Sequence, residues 1–366
     1  MKSQNLIAES FTIARQYRGM TQKEVAEGLN VSQTTISKIE LGFQLPTPEL
    51  LTTMAEFFKL PESFFYKKLT EIHPGLKYHR KRKNVPAKVL GQFDAALTII
   101  RGQLIELLKV VEVSDSIYKI FDPTAYDSPV LVAQALREAA KQPRGPINNL
   151  IEFAEDLGLI VLLLNVETPA IDGVTFSLGF EFSPPVIVLN KNMPMDRLRF
   201  TLAHEIGHAI MHLNQQFREE FDDEANRFAS ELLMPEEDIY LHLTAQPLSI
   251  QRLVDLKRYW HVSMQSLIER AYRLDIINES ERTRLYIAMS RRGYRKKEPI
   301  EIPRETPTLA QEMIETTLVE ALAADNTLLR DMMIHEVDEL YTMYSIPQRN
   351  RIQMKVLNLP NNGGHS

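Results

Sequence analysis

Phe200-Thr201-Leu202-Ala203-His204-Glu205-Ile206-Gly207-His208-Ala209-Ile210-Met211-His212 is the stretch from which this chain is best read. Its apolar spacing predicts one helix over residues 197–212. On a helix, side chains four apart share a face, so His204 and His208 can aim at one ion. Glu205 is then placed to act as general base toward an attacking water. Burying two imidazoles and a carboxylate on an apolar helix is costly unless a metal or hydrogen bonds compensate them. Zinc with two His ligands, an open position and a nearby carboxylate is equipment for hydrolysing a peptide bond. The expectation is a Zn2+ site with His204 and His208 as metal ligands and Glu205 as catalytic base. The competing reading is a helix whose histidines make ordinary hydrogen bonds.

A third ligand has to come from further along. Phe221-Asp222-Asp223-Glu224-Ala225-Asn226-Arg227-Phe228-Ala229-Ser230-Glu231-Leu232-Leu233-Met234-Pro235 can supply it, with a helix predicted over residues 222–233. Asp222, Ala225 and Ala229 fall on one side, and the alanines would let this helix pack closely against the first. His212, two turns after His204, reads as a hydrogen-bonded structural histidine, with orientation of the site as the alternative.

The bulk numbers bound the rest. The chain has 366 residues, 44% of them hydrophobic, and a formal net charge of -6. That length implies two or three domains, each able to bury a core. The net charge excludes a global attraction to nucleic acid, so any DNA-binding surface must be local. With no cysteine, disulfides, thiolate zinc sites and cysteine catalysis are excluded. No targeting segment is read at the N-terminus, and the longest apolar run, near residues 157–166, is too short for a membrane span. A cytoplasmic protein with no membrane partner is expected.

The chain divides into four parts. Residues 1–66 predict a bundle of short helices. Thr21-Gln22-Lys23-Glu24 is a capping box, Asn30-Val31 a tight turn, and Ser32 the cap of the next helix, which Gly42 stops. The segment 21–42 has the layout of a helix-turn-helix, presenting Gln33, Thr34, Thr35, Ser37 and Lys38 to the major groove of a DNA operator. Gln22 is placed to touch the DNA backbone. Residues 67–88 form a basic connector, eight Lys or Arg from Tyr66 to Lys88 against one Glu. It reads equally as a solvated linker or as help in neutralising phosphate, since residues 1–66 hold six Lys or Arg against seven Asp or Glu.

Residues 89–240 contain helices predicted at 89–113, 130–141 and 147–157. Strands follow at 159–165, 173–182 and 186–189, then the two helices of the metal motif. Residues 186–190 read as an edge strand that holds an extended peptide or, equally, as a plain structural strand. Residues 241–360 read as a helical C-terminal region in which Trp260 packs inside. It includes a basic loop, Arg291-Arg292-Gly293-Tyr294-Arg295-Lys296-Lys297, and a mildly acidic tail over 308–355.

Two resemblances follow from these motifs. Thr21-Gln22-x-x-Val25-Ala26, then Val31-Ser32-Gln33-Thr34-Thr35-Ile36-Ser37-Lys38-Ile39-Glu40-x-Gly42, resembles the lambda-repressor/Cro (Xre) class of DNA-binding domains. Ile187-Val188-Leu189-Asn190, Arg197-x-x-Phe200-Thr201-Leu202-Ala203, the His-Glu-x-x-His motif, Glu224-Ala225-Asn226-Arg227-Phe228-Ala229 and Leu232-Leu233-Met234-Pro235 together resemble the ImmA/IrrE zinc metallopeptidases. The second resemblance implies a third zinc ligand at the position of Asp222, where the family usually has Glu. Asp is one methylene shorter, so the helices must sit closer; Glu224 is the alternative.

The fold expected is mainly α: a helix-turn-helix bundle, an α+β zincin-like metallopeptidase domain and a helical C-terminal region. The resemblances imply a cytoplasmic transcriptional regulator that cleaves a protein substrate, a repressor or itself, in response to stress, and that acts as a possible homodimer. The alternative is a repressor or antitoxin whose peptidase-like domain is an inactive sensor or partner-binding module.

Overall fold

Side-chain caps written in the sequence start three of the first four helices. The computed structural model describes residues 5–69, 77–81, 85–113, 117–166, 171–180, 183–213, 215 and 218–323. It opens with α1 (Ala8–Tyr17), α2 (Gln22–Gly28), α3 (Gln33–Glu40) and α4 (Pro48–Phe58). The Glu24 amide donates to Thr21 Oγ1 while the Glu24 carboxylate accepts from the Thr21 amide, the capping box read above. Ser32 caps α3 through the Thr35 amide. Asn30 takes a left-handed conformation, φ 55°, which makes the α2–α3 turn tight. Phe11, Val25, Ile36, Leu51 and Phe58 close a core with Phe64 and Phe65 of the 3-10 turn Glu62–Tyr66.

β1 (Lys77–Lys81) and α5 (Ala87–Leu107) follow. α5 serves two cores. Ala95 and Ile99 join the N-terminal bundle, where α5 packs on α1. Phe93, Leu97, Ile100, Leu104 and Leu107 join a second core over a sheet. After α6 (Ile117–Ile120), α7 (Pro129–Ala139) and α8 (Leu150–Asp156), the sheet is completed by β2 (Ile160–Leu164), β3 (Ile171–Phe176) and β4 (Val186–Asn190). Strand order is β1-β3-β4-β2, with β2 and β4 parallel and the other pairs antiparallel. β2, β3 and β4 are buried throughout because helices cover both faces. Side-chain alternation divides them: Val161, Leu163, Ile187 and Leu189 enter one core, Leu162, Val174, Phe176 and Val188 the other.

Of the two readings of Val186–Asn190, the plain structural strand holds: it lies inside the sheet, not at its edge. Its backbone is committed to β2 on one side and β3 on the other, so it cannot hold a peptide by added pairing. The basic connector supplies β1, paired with β3. Lys77-Tyr78-His79-Arg80-Lys81 lacks the apolar alternation that announces a strand, and a long-range partner decides its conformation.

Beyond the sheet come α9 (Met195–Gly207), widening into a π-helical turn at His208–His212, then α10 (Phe221–Leu233), α11 (Glu236–Thr244), α12 (Ile250–Trp260), α13 (Met264–Arg273), α14 (Glu279–Arg291) and α15 (Leu309–Ala323). Leu253, Trp260 and Leu267 lie in the same buried cluster as Leu202 and Ile206, so helices on both sides of residue 240 share one core. Trp260 is fully buried and its indole N–H donates to His242 Nδ1. A strap between α14 and α15 crosses this domain. Its Glu298 takes Lys257 and the Met264 amide; its buried Glu305 pairs with Arg199 and accepts from the Leu150 and Ile151 amides. The architecture is mainly α, an N-terminal bundle followed by an α+β domain and C-terminal helices. The expectations for residues 324–360 lie outside the described residues.

Candidate metal centre and nucleic-acid interface

Two glycines let α9 approach its neighbours. A Cβ on Gly173 of β3 would sit 3.1 Å from Thr201 Cγ2 and 3.3 Å from Glu205 Cγ. A Cβ on Gly207 would sit 3.3 Å from the Ala225 Cα of α10. β3 and α10 both pass α9 so closely that a Cβ at either glycine would crowd its neighbours, and α10 thereby carries Asp222 to the two histidines. This is the closeness that a short Asp ligand requires.

The ligand atoms converge. His204 Nε2 and His208 Nε2 lie 3.1 Å apart. Asp222 Oδ1 lies 3.6 Å from the first and 3.9 Å from the second. A point equidistant from the three is about 2.1 Å from each, the length of a zinc–nitrogen or zinc–oxygen bond. Among the described residues this is the group of three or more His, Asp or Glu able to hold a metal ion.

The surrounding hydrogen bonds prepare these atoms. Asn226 Oδ1 lies 3.1 Å from His204 Nδ1. An amide oxygen only accepts, so Nδ1 carries the proton and Nε2 presents a lone pair. Glu224 Oε2 lies 2.9 Å from His212 Nε2, and His212 Nδ1 lies 3.0 Å from His208 Nδ1. The carboxylate accepts from His212 Nε2–H, His212 Nδ1 accepts from His208 Nδ1–H, and His208 Nε2 is left bare. Two bare lone pairs 3.1 Å apart repel unless a cation lies between them. The residues present therefore fit a zinc-type ion. Burial, reinforced by His204 and His212, pushes His208 down to about 2, and burial pushes His212 down to about 4. Both rings are neutral near pH 7, the state a ligand needs.

Glu205 is fully buried, and its Oε2 accepts from Thr175 Oγ1 of β3 at 2.6 Å. The sheet thus holds one oxygen of this carboxylate. Glu224, the alternative third ligand, sits on His212; Asp222 is the carboxylate that reaches the pair. His212 makes the ordinary hydrogen bonds expected of it, and through them it also orients His208. Thr175 and the role of Asn226 were missed. Nothing local in a strand marks Thr175, whereas Asn226 lies inside the Glu-Ala-Asn-Arg block already singled out.

On the N-terminal bundle, Gln33, Thr34 and Lys38 of α3 are exposed, while Thr35 and Ser37 are half-buried. The Thr35 hydroxyl shares a hydrogen bond with Ser32 Oγ at 2.8 Å. Gln22 is half-buried and its Nε2 donates to Glu40 Oε2, which also takes Arg15. That contact ties α1, α2 and α3 together behind the presented face.

A helix-turn-helix bundle joined to a domain with a His-Glu-x-x-His helix is the architecture of a DNA-binding regulator with a metallopeptidase-related domain, as two family models support. Residues 13–65 match the helix-turn-helix family model, and residues 154–272 match the model of the IrrE N-terminal-like domain. No curated protein matches the chain. Among the described residues no helix is long and apolar enough to cross a membrane.

Proposed function

We propose that this protein is a cytoplasmic, operator-binding regulator whose IrrE-like domain is a zinc endopeptidase that cleaves a regulatory protein. The observation that carries this reading is the convergence of His204 Nε2, His208 Nε2 and Asp222 Oδ1, with Asn226 and the Glu224–His212 pair selecting the tautomers that free both nitrogens. His204, His208 and Asp222 would hold the ion. When bound, zinc supplies Lewis-acid polarisation of a scissile carbonyl and acidifies water. Glu205, oriented by Thr175, takes the proton from the attacking water and passes it to the leaving amine. Stress is the proposed trigger. Gln33, Thr34, Thr35, Ser37 and Lys38 read the operator, with Gln22 bracing α3 and touching the backbone. A homodimer bound to a two-fold operator suits this class of module.

The test pairs metal analysis with proteolysis. Zinc-loaded wild-type protein cleaves a candidate repressor or its own chain; Glu205→Gln retains zinc and loses cleavage. Equal cleavage by the variant removes Glu205 as the base. Footprinting upstream of the protein's own gene checks the operator reading, with protection lost in Gln33→Ala and Lys38→Ala. The full burial of Glu205 favours a second reading, a regulator whose peptidase-like domain only binds a ligand or partner. Zinc bound at His204, His208 and Asp222 without cleavage of any partner would establish it.

A further inference from the structure

The basic loop noted at residues 291–297 is not used by the metal centre or by the helix-turn-helix. It lines a cavity of about 1000 Å3 whose wall also includes Asp222. Phe200, Arg197 and Thr201 of α9 line the same cavity. The cavity therefore touches the candidate metal centre at Asp222 and runs along α9 to the strap that follows α14.

Its charges divide unequally. Most carboxylates on its walls are paired within the protein, and the Glu301–Lys297 pair lies exposed at the surface. Asp172 takes Arg197 in a two-oxygen contact, Asp196 and Glu298 share the buried Lys257, and Glu301 pairs with Lys297 at 3.4 Å. Asp222 belongs to the histidine pair. Three exposed cations on the same walls have no carboxylate partner among the described residues. Arg295 stacks on Tyr286, Arg304 donates to the Lys191 carbonyl, and Lys296 stands clear.

From this we infer that the cavity is the substrate cleft and that Arg295, Lys296 and Arg304 select an acidic polypeptide segment. The inference rests on the peptidase reading of the adjoining centre and adds the chemistry of the substrate. A negatively charged segment laid along α9 brings its backbone to the metal centre while its carboxylates meet the three cations. Phe200 and Ile300 on the same walls receive apolar side chains between the charges. Duplex DNA fits less well. Its phosphate backbone would gain nothing from Phe200 and Ile300 on these walls.

Binding tests this without requiring catalysis. The probes are three fluorescein-labelled peptides of alternating charged and alanine residues, carrying Glu, Gln or Lys. The protein is zinc-loaded, full-length Glu205→Gln, alone and with Lys296→Glu and Arg304→Glu added. Exposed ion pairs are each worth a factor of about two to five, so the Glu peptide is expected to bind roughly tenfold tighter than the Gln peptide. That preference should weaken with salt. It should vanish in the charge-reversed protein, whose melting temperature and zinc content serve as the folding control. Equal binding of the Glu and Gln peptides, or a preference that survives charge reversal in folded protein, overturns the inference. Random duplex DNA that displaces the Glu peptide and itself needs Lys296 and Arg304 also overturns it, assigning the loop to nucleic acid. Cleavage assays with the wild-type protein separate the two readings. Charge-selective binding with no cleavage sinks the peptidase and keeps this cleft; cleavage indifferent to charge does the reverse.

Discussion

Gly207→Ala puts the spacing of α9 and α10 under direct test. The added Cβ would sit 3.0 Å from Phe228 Cδ1 and 3.3 Å from Ala225 Cα. Carbon atoms settle at about 3.5–4.0 Å, so the helices must part by several tenths of an ångström. Phe228 is fully buried and has no room to swing aside. Two effects then compete. Overpacking costs about 1–3 kcal/mol, while replacing a helical Gly by Ala returns about 1 kcal/mol. The metal-free protein should lose about 0–2 kcal/mol, or a few degrees of melting temperature. Zinc binding suffers more, because Asp222 rides on α10 and already stands 3.6 and 3.9 Å from its partners. Ligand distances tolerate only about 0.2 Å, so zinc affinity should fall by about tenfold or more. Competition against a chromophoric chelator at fixed pH measures it. Affinity within twofold of wild type, together with a raised melting temperature, would refute the idea that these helices stand at their contact limit.

Three further outcomes follow from the same geometry. Glu224→Leu removes the acceptor that fixes the His212 tautomer, and zinc affinity should drop by about 10–100-fold, whereas Asp223→Asn on the exposed side should leave it unchanged in the same titration. Thr175→Val frees the Glu205 carboxylate; zinc content should stay at the wild-type level while turnover falls by about 10–100-fold, and an undiminished rate would remove Thr175 as a positioning residue. Burial raises the Glu155 carboxyl from 4.5 to about 7, against the opposing hydrogen bonds from the Thr308 and Leu309 amides. A raised folded value means that this stabilisation is complete below 4.5 and is lost as pH climbs through 7. The melting temperature of chelator-treated protein should fall between about pH 5 and pH 8, with this part of the slope absent in Glu155→Gln. His208 and His212, depressed by burial, act in the opposite sense as acidity increases, so only the difference between wild type and variant isolates Glu155.

What the residues alone determined is what local geometry controls. Helical periodicity puts His204 and His208 on one face whatever lies around them. The Thr21–Glu24 box, the Ser32 cap and the left-handed Asn30 turn are satisfied within a few residues, so the helix-turn-helix was legible in full. The tertiary structure decided everything that needed a partner far away in the chain. It brought Asp222 to the histidines and sent Glu224 to His212, two carboxylates two residues apart with different destinations. It turned a basic connector into a strand, moved Val186–Asn190 from the rim to the middle of the sheet, and set Thr175 behind Glu205. Local hydrogen bonds and side-chain periods are encoded over one or two turns. Which faces meet is settled by the burial of whole elements, and here Gly173 and Gly207 set how near α9 can come to β3 and α10.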